Sequence, residues 1–397
     1  LALTSGVAFA QSSTKNQALA KKSVMGSEEV YSTKTINLGS QTEANIWSED
    51  FSSGFTGWVN AGFDDQGNTL DSALWEFRGP NTSPSNAEGT RGAYGAAMDP
   101  IVSPTASNGF VIFDSDYLDN NGIAGNFGNG KAPAPHIGTL TSGTINCSGH
   151  PYIELKFNSY HRYFEGRALV AISTDGGTTW GDTLACHPSI GVNSATANNE
   201  VVELNVSAIM GNESNCKLRF IFDGTFDDPA AGGSGQGYYF WMIDDIEVND
   251  LPKFSMRLSE WNDVTDNGVI SGPDFNSGAS SRLGRTAENY ATDQKRGMEF
   301  YTSAYNYGWG TLNNVKLTVD IVSNGALVTS ISSTGDTSLM SNEFATYNTL
   351  NTFGNDYTPP GLGNYGFVFK VEGDSATAIS DTTTFFVTED VLSLDWG

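Results

Sequence analysis

The sequence predicts an all-β protein made of two β-sandwiches. Short stretches alternate apolar and polar residues: Ile153, Leu155 and Phe157 against Glu154, Lys156 and Asn158, then Val202, Leu204 and Val206, and Leu218, Phe220 and Phe222. Further along come Val315, Leu317, Val319 and Ile321, and finally Tyr365, Phe367, Phe369 and Val371. A period of two places each set on one face of a pleated strand, as suits antiparallel sheets with one face buried and one wet. Charged residues make up only 16%, below the roughly 25% usual for soluble domains. Ser, Thr, Asn and 45 Gly supply the polarity instead, the habit of turn-rich β proteins. Helical periodicity is confined to Asn16–Glu29.

The 397 residues suit two or three domains at roughly 100–200 residues each. Residues 1–10 (LALTSGVAFA) read as the remnant of a signal peptide, with Ala8-Phe9-Ala10 in the small-x-small cleavage position. Residues 11–45 read as a leader or linker. A large sandwich is expected over 46–250, ending in the apolar run Tyr238–Val248, and a smaller one over 251–397. No apolar run approaches the ~20 residues that span a bilayer. From the signal remnant, export to the extracellular side or cell surface is expected, with further domains of the same precursor beyond residue 397.

Lys+Arg 20 against Asp+Glu 45 gives a formal net charge of -25. Such a chain is repelled by nucleic-acid phosphates and by anionic membranes. Surplus carboxylates favour a hard divalent cation, and oxygen-rich clusters select Ca²⁺. The clusters are Glu49-Asp50, Asp64-Asp65, Asp114-Ser115-Asp116 with Asp119, Asp227-Asp228, and Asp244-Asp245 at the end of the apolar strand. In a regular strand Asp244 and Asp245 point to opposite faces, so one faces inward. An inward carboxylate needs a cation or several donors. Either a structural Ca²⁺ ties the first strand to the last, or backbone N–H groups of a loop satisfy the buried Asp.

Other motifs point away from catalysis. Ser173–Trp180 (STDGGTTW) fits the Asp-box pattern, read as a hairpin in which Asp175 caps its own turn. Nucleophile-elbow, zincin and phosphate-loop patterns do not occur, so no catalytic residue is assigned and a non-enzymatic chain is expected. Cys147, Cys186 and Cys216 allow at most one disulfide, with the pairing open. Aromatic patches at Tyr160–Phe164 and at Tyr301, Tyr305, Tyr307 and Trp309 either stack sugars or fill the core.

Four segments in order then resemble a known family: Trp47–Trp58 (WSEDFSSGFTGW), Asn108–Asp116 (NGFVIFDSD), Val170–Trp180 and Trp241–Ile246 (WMIDDI). They are similar to the jelly-roll domains of Bacteroidota surface proteins, of the MAM-like and cleaved-adhesin type, while the second domain is similar to the Ig-like modules that follow them. The resemblance implies a jelly-roll β-sandwich followed by a smaller Ig-like β-sandwich, with export through Sec and the type IX system. It also implies calcium at the strand ends, with Glu49, Asp50 and Asp245 as ligands beside the Asp244 already named, and Asp114 and Asp116 as further candidates. O-glycosylation in that lineage implies glycans at Ser72, Thr183, Ser375 or Thr382. The expected function is a calcium-stabilised adhesion or assembly protein of the cell surface, its partners other surface proteins or extracellular glycans. The alternatives are the non-catalytic N-terminal part of a larger secreted hydrolase and a carbohydrate-binding module.

Overall fold

The computed structural model describes residues 34–37, 44–95, 98–188, 190–231, 237–259, 272–275, 289–291, 298–333, 335, 337–348, 357–379 and 383–389. The expected signal remnant, the helix expected at Asn16–Glu29 and the glycosylation candidate Thr382 lie outside the described residues. The fold is all-β, a jelly-roll sandwich followed by a smaller Ig-like sandwich, and the chain divides into two compact units between Leu251 and Pro252. Part of the expected leader belongs to the second unit, because β1 (Lys34–Asn37) pairs antiparallel with residues 376–379.

The first unit holds β2 (Asn45–Glu49), β3 (Val59–Asp64), β4 (Glu76–Arg78), β5 (Phe110–Phe113), β6 (His136–Thr141) and β7 (Ile153–Arg162). It continues with β8 (Arg167–Ser173), β9 (Leu184–Ala185), β10 (Glu200–Asn205), β11 (Lys217–Asp223) and β12 (Phe240–Asp250). One sheet runs β10-β7-β12-β5-β4, with β2 also on β12; the other runs β3-β6-β11-β8-β9. All of these pairings are antiparallel. Alternate residues of both sheets, among them Leu155, Phe157, Val202, Leu204, Leu218, Phe220, Phe222 and Trp241, form the core between them.

Strands β5 and β12 are buried on both faces. Val111, Phe113, Trp241 and Ile243 enter the main core, while Phe110, Ile112, Phe240 and Met242 pack on the other side beneath Ile101 and Met98. That second cover explains why both strands read as continuous apolar runs rather than alternating ones. Two short helices, α1 (Ser115–Asn120) and α2 (Ser207–Met210), join strands without any long helical period in the sequence.

The second unit carries β13 (Met256–Ser259), β14 (Gly272–Phe275), β15 (Asn289–Ala291), β16 (Met298–Asn306), β17 (Leu312–Ser323) and β18 (Ala326–Ser332). After them come β19 (Thr337–Leu339), β20 (Phe344–Asn348), β21 (Gly363–Glu372), β22 (Ala376–Ile379) and β23 (Thr383–Thr388). One sheet follows β1-β22-β21-β17-β18, with a parallel β15–β23 pair attached; the other centres on β16. Phe300 of β16 packs against Phe367 and Phe369 of β21 at 5.0 and 6.1 Å between centroids, joining the two layers.

Candidate functional site

The acidic site forms at a seam. One edge of β12 pairs with β5 along Trp241–Ile243 and then with β2 along Ile246–Asn249, so the two shorter strands meet end to end beside it. Asp244 and Asp245 sit at the changeover. The register of β12 against β7 shifts between Asp244 and Glu247, and Asp245 takes φ +47°. This is a β-bulge, which adds a residue and re-aims the side chains around it. Core-facing positions accordingly run Trp241, Ile243, then Ile246, Val248.

The bulge corrects the expectation that these two carboxylates point to opposite faces. Both reach the same loop: Ser103 Oγ donates to Asp244 Oδ2 at 2.5 Å, while Thr105 donates to Asp245 from its N–H (3.1 Å) and its hydroxyl (2.7 Å). Strict alternation fails because the extra residue breaks the period-2 rule at this point.

Asp50, just past the end of β2, completes the seam. It accepts Ser52 N–H at 3.0 Å, Ser52 Oγ at 2.7 Å and Asn108 Nδ2 at 3.1 Å. These donors, led by the Ser52 hydroxyl, hold the Asp50 carboxyl below its usual value. Asp244 behaves in the opposite way. Burial pushes it up to about 7, and the carboxylates of Asp245 and Asp50 add to the rise. Two buried acceptors of this seam, Asp244 Oδ1 and Asn108 Oδ1, have no hydrogen-bond partner. Asn108 Oδ1 carries no hydrogen, and neither does Asp244 Oδ1 when ionised, so in that state a donor or a cation satisfies them.

The other sequence candidates are engaged elsewhere. Glu49 accepts Phe51 N–H at 2.8 Å and Trp58 Nε1–H at 2.9 Å, fastening the opening motif as Trp58 packs on Phe51 and Phe220. Asp114 accepts Thr90 Oγ1 at 2.6 Å and Arg91 N–H at 2.8 Å, with the buried Arg78 guanidinium 3.6 Å away. Asp116 accepts Tyr94 and Gly95 N–H groups and Asn120 Nδ2. Burial raises both of these carboxyls despite their donors. Ser72, Thr183 and Ser375 are half-buried. Among the described residues, no group of three or more Asp, Glu, His or Cys is arranged to hold a metal ion.

Asp175 caps its own hairpin as expected, accepting Thr179 N–H at 2.8 Å and Thr179 Oγ1 at 2.6 Å. These bonds, the hydroxyl first, hold it down at about 2. Cys147 and Cys216 meet thiol to thiol in the core, with Cys186 buried apart from them.

The aromatic patches named from the sequence are mostly core, with Phe164 and Trp309 half-buried. Tyr160, His161, Tyr163, Tyr305 and Tyr307 are all buried, and the Tyr301 side chain lies outside the described residues. Of a different cluster the sequence reading named only Phe164: Tyr94, Phe127, Phe164, Tyr238 and Tyr239 come from four separate segments. No local signal joins them, since their proximity depends on loop closure.

No protein-family profile matches the chain, and no curated protein matches it. Among solved structures it is similar to a calcium-binding mutant of Bacteroides uniformis β-glucuronidase 2, with 10% identity over 83% of this chain and a TM-score of 0.34. It is also similar to a Parabacteroides merdae β-glucuronidase, with 11% identity over 89% of this chain and a TM-score of 0.33. The chain spans about a third of the length of those enzymes, 32% and 36%. Likeness at this level says nothing of activity.

Proposed function

We propose that the chain is a non-catalytic module of an exported surface protein, serving adhesion or assembly, with its jelly roll closed at the β2/β5 seam by a calcium ion. The observation that carries the calcium reading is the pair of buried, unpartnered acceptor oxygens, Asp244 Oδ1 and Asn108 Oδ1, beside the carboxylates of Asp50 and Asp245. An all-oxygen donor set with surplus negative charge fits a hard cation. Asp244 Oδ1 and Asn108 Oδ1 would hold the ion, with the hydrogen-bonded carboxylates of Asp50 and Asp245 adding negative charge beside it, so that the ion would link the start of β5 to the bulge of β12. Glu49 acts differently, as the hydrogen-bonded clasp of the motif before Trp58. A rigid, cross-braced sandwich suits a protein that bears load or presents loops outside the cell.

Thermal unfolding in calcium and in EDTA tests the cation. Calcium raises the melting temperature of the wild type, by the equivalent of about 2.7 kcal/mol when free calcium is 100 times its dissociation constant. Asp244→Asn removes that response while the protein stays folded. Equal melting curves in calcium and EDTA defeat the cation reading. Capture of whole cells by beads coated with the protein, compared with and without calcium, tests the surface role, and no capture above bare beads counts against it.

A further inference from the structure

Two of the three cysteines sit on a short pairing just past the end of the β6–β11 ladder. Ile145 N–H donates to Cys216 O at 2.8 Å, and Cys216 N–H donates back to Ile145 O at 3.0 Å. The two residues therefore stand directly opposite each other, with their side chains on one face. Period two puts Cys147 on that face as well. Ile145, Cys147 and Cys216 accordingly all lie in the main core of the first unit.

The backbone around the two thiols is pinned on both sides. Cys147 N–H reaches Glu213 O at 2.8 Å, where a regular ladder from the Ile145–Cys216 pair would use Ser214. The 213–216 segment thus carries one extra residue, as in a bulge. His150 N–H donates to Cys147 O at 3.1 Å, and Asn212 N–H donates to His150 O at 3.0 Å. Between these bonds the two sulfurs share a hydrogen bond of their own.

The sheet keeps Cys186 out of this pair. Its N–H bonds Ala168 O at 2.9 Å, near one end of β8, whereas Lys217, next to Cys216, pairs with Ser173 at the other end. The five residues from Ala168 to Ser173 span about 17 Å at ~3.4 Å each. A disulfide bridges α-carbons up to about 7 Å apart. Cys186 is too distant from Cys216 to compete for it.

We propose that Cys147 and Cys216 form a disulfide when the chain folds in the presence of a disulfide oxidant, with Cys186 left as a buried thiol. Both sulfurs are fully buried in the folded chain, so exchange takes place before the sheets close over them. One cysteine loses its proton to water, and its thiolate attacks a sulfur of the oxidant's disulfide, expelling the other sulfur as a thiolate. The second cysteine then loses its proton and attacks the first sulfur of the chain, expelling the oxidant's remaining thiolate. The chain gives up two electrons and two protons, and the oxidant leaves as two thiols. The bond closes a loop that holds β7 and β10 of one sheet and β8 and β9 of the other. Closing so long a loop restricts the unfolded chain and braces both layers. The proposal rests on the exported reading for an oxidising compartment, while the bond can be made in a glutathione buffer whatever that compartment is.

The test counts thiols in the full chain after folding in oxidised and reduced glutathione, by alkylation in guanidinium and intact mass. One alkyl group is expected, on Cys186, with a non-reduced peptide joining Cys147 to Cys216. Secretion of the chain into a bacterial periplasm, followed by alkylation on lysis, gives the same count without a refolding step. Three alkyl groups by both routes overturn the proposal, as does a bridge that includes Cys186 or glutathione retained on either partner. Dithiothreitol lowers the melting temperature of the bridged chain by roughly 10 °C. The double variant Cys147→Ala/Cys216→Ala shows no response to dithiothreitol. Equal midpoints for the bridged and reduced wild type overturn the bracing. A bridge made in glutathione, in a chain whose native source keeps all three thiols, removes the exported reading and leaves the site.

Discussion

Two acid-rich regions of the jelly roll use the same residue type to opposite ends. At α1, Asp116 and Asp119 receive backbone N–H groups from the loops they hold, and Asp114 receives one from Arg91. At the β12 seam, Asp244 receives one hydroxyl and keeps a buried oxygen without a partner. The difference lies in the donors rather than in the carboxylates. Loops that wrap a short helix bring N–H groups inward, whereas at the seam Asp50 and Asp245 take the loop donors and Asp244 Oδ1 takes none. The first region therefore holds its shape with protein atoms alone, and the second leaves an open acceptor that the proposed ion would meet.

The sharpest way to break that contrast is Asp114→Ala. It leaves the Thr90 hydroxyl and Arg91 N–H without their acceptor and strips one carboxylate from beside the fully buried Arg78. A loss of about 3 kcal/mol in urea unfolding is expected, in calcium and EDTA alike. A loss seen only in calcium would move the metal to α1.

Acid sharpens the comparison next. Burial holds His136 down at about 4, against 6.5 for the free side chain, and the nearby Asp119 carboxylate only partly opposes this. Between those values the unfolded chain binds more protons, so stability is full above pH 6.5 and falls as pH drops toward 4. The slope is at most about 1.4 kcal/mol per pH unit from this residue. Because His161 is lowered in the same sense, to about 3, the His136 share is the difference between wild type and His136→Gln in matched pH series. Parallel curves would show that His136, whose Nε2 lies 2.8 Å from Ser115 Oγ of α1, does not carry this slope.

Glu49→Gln has the smallest expected effect. An amide offers a donor where Glu49 now accepts from both Phe51 N–H and Trp58 Nε1–H, at a cost of about 1 kcal/mol. The calcium response should survive, read by melting temperature with and without EDTA. Its loss would make Glu49 a ligand after all.

Much of the fold was legible in the residues. Alternation at Ile153–Asn158 and Leu218–Phe222 marked strands β7 and β11, and the Asp-box signalled a hairpin whose bonds close within five residues. The short helix α1 escaped notice because SDYLDN has no apolar period. The ring cluster escaped because Tyr94, Phe127 and Tyr238 join Phe164 only after the chain has closed on itself.

The sequence by itself determined the pleated layers, the acidic surplus and the local turns, since each depends on side chains a few positions apart. Tertiary structure alone decided which carboxylates found donors, where β12 bulged and which rings stayed at the surface. Those outcomes depend on hydrogen-bond donors and covering loops that come from distant parts of the chain, and no short window of residues contains them.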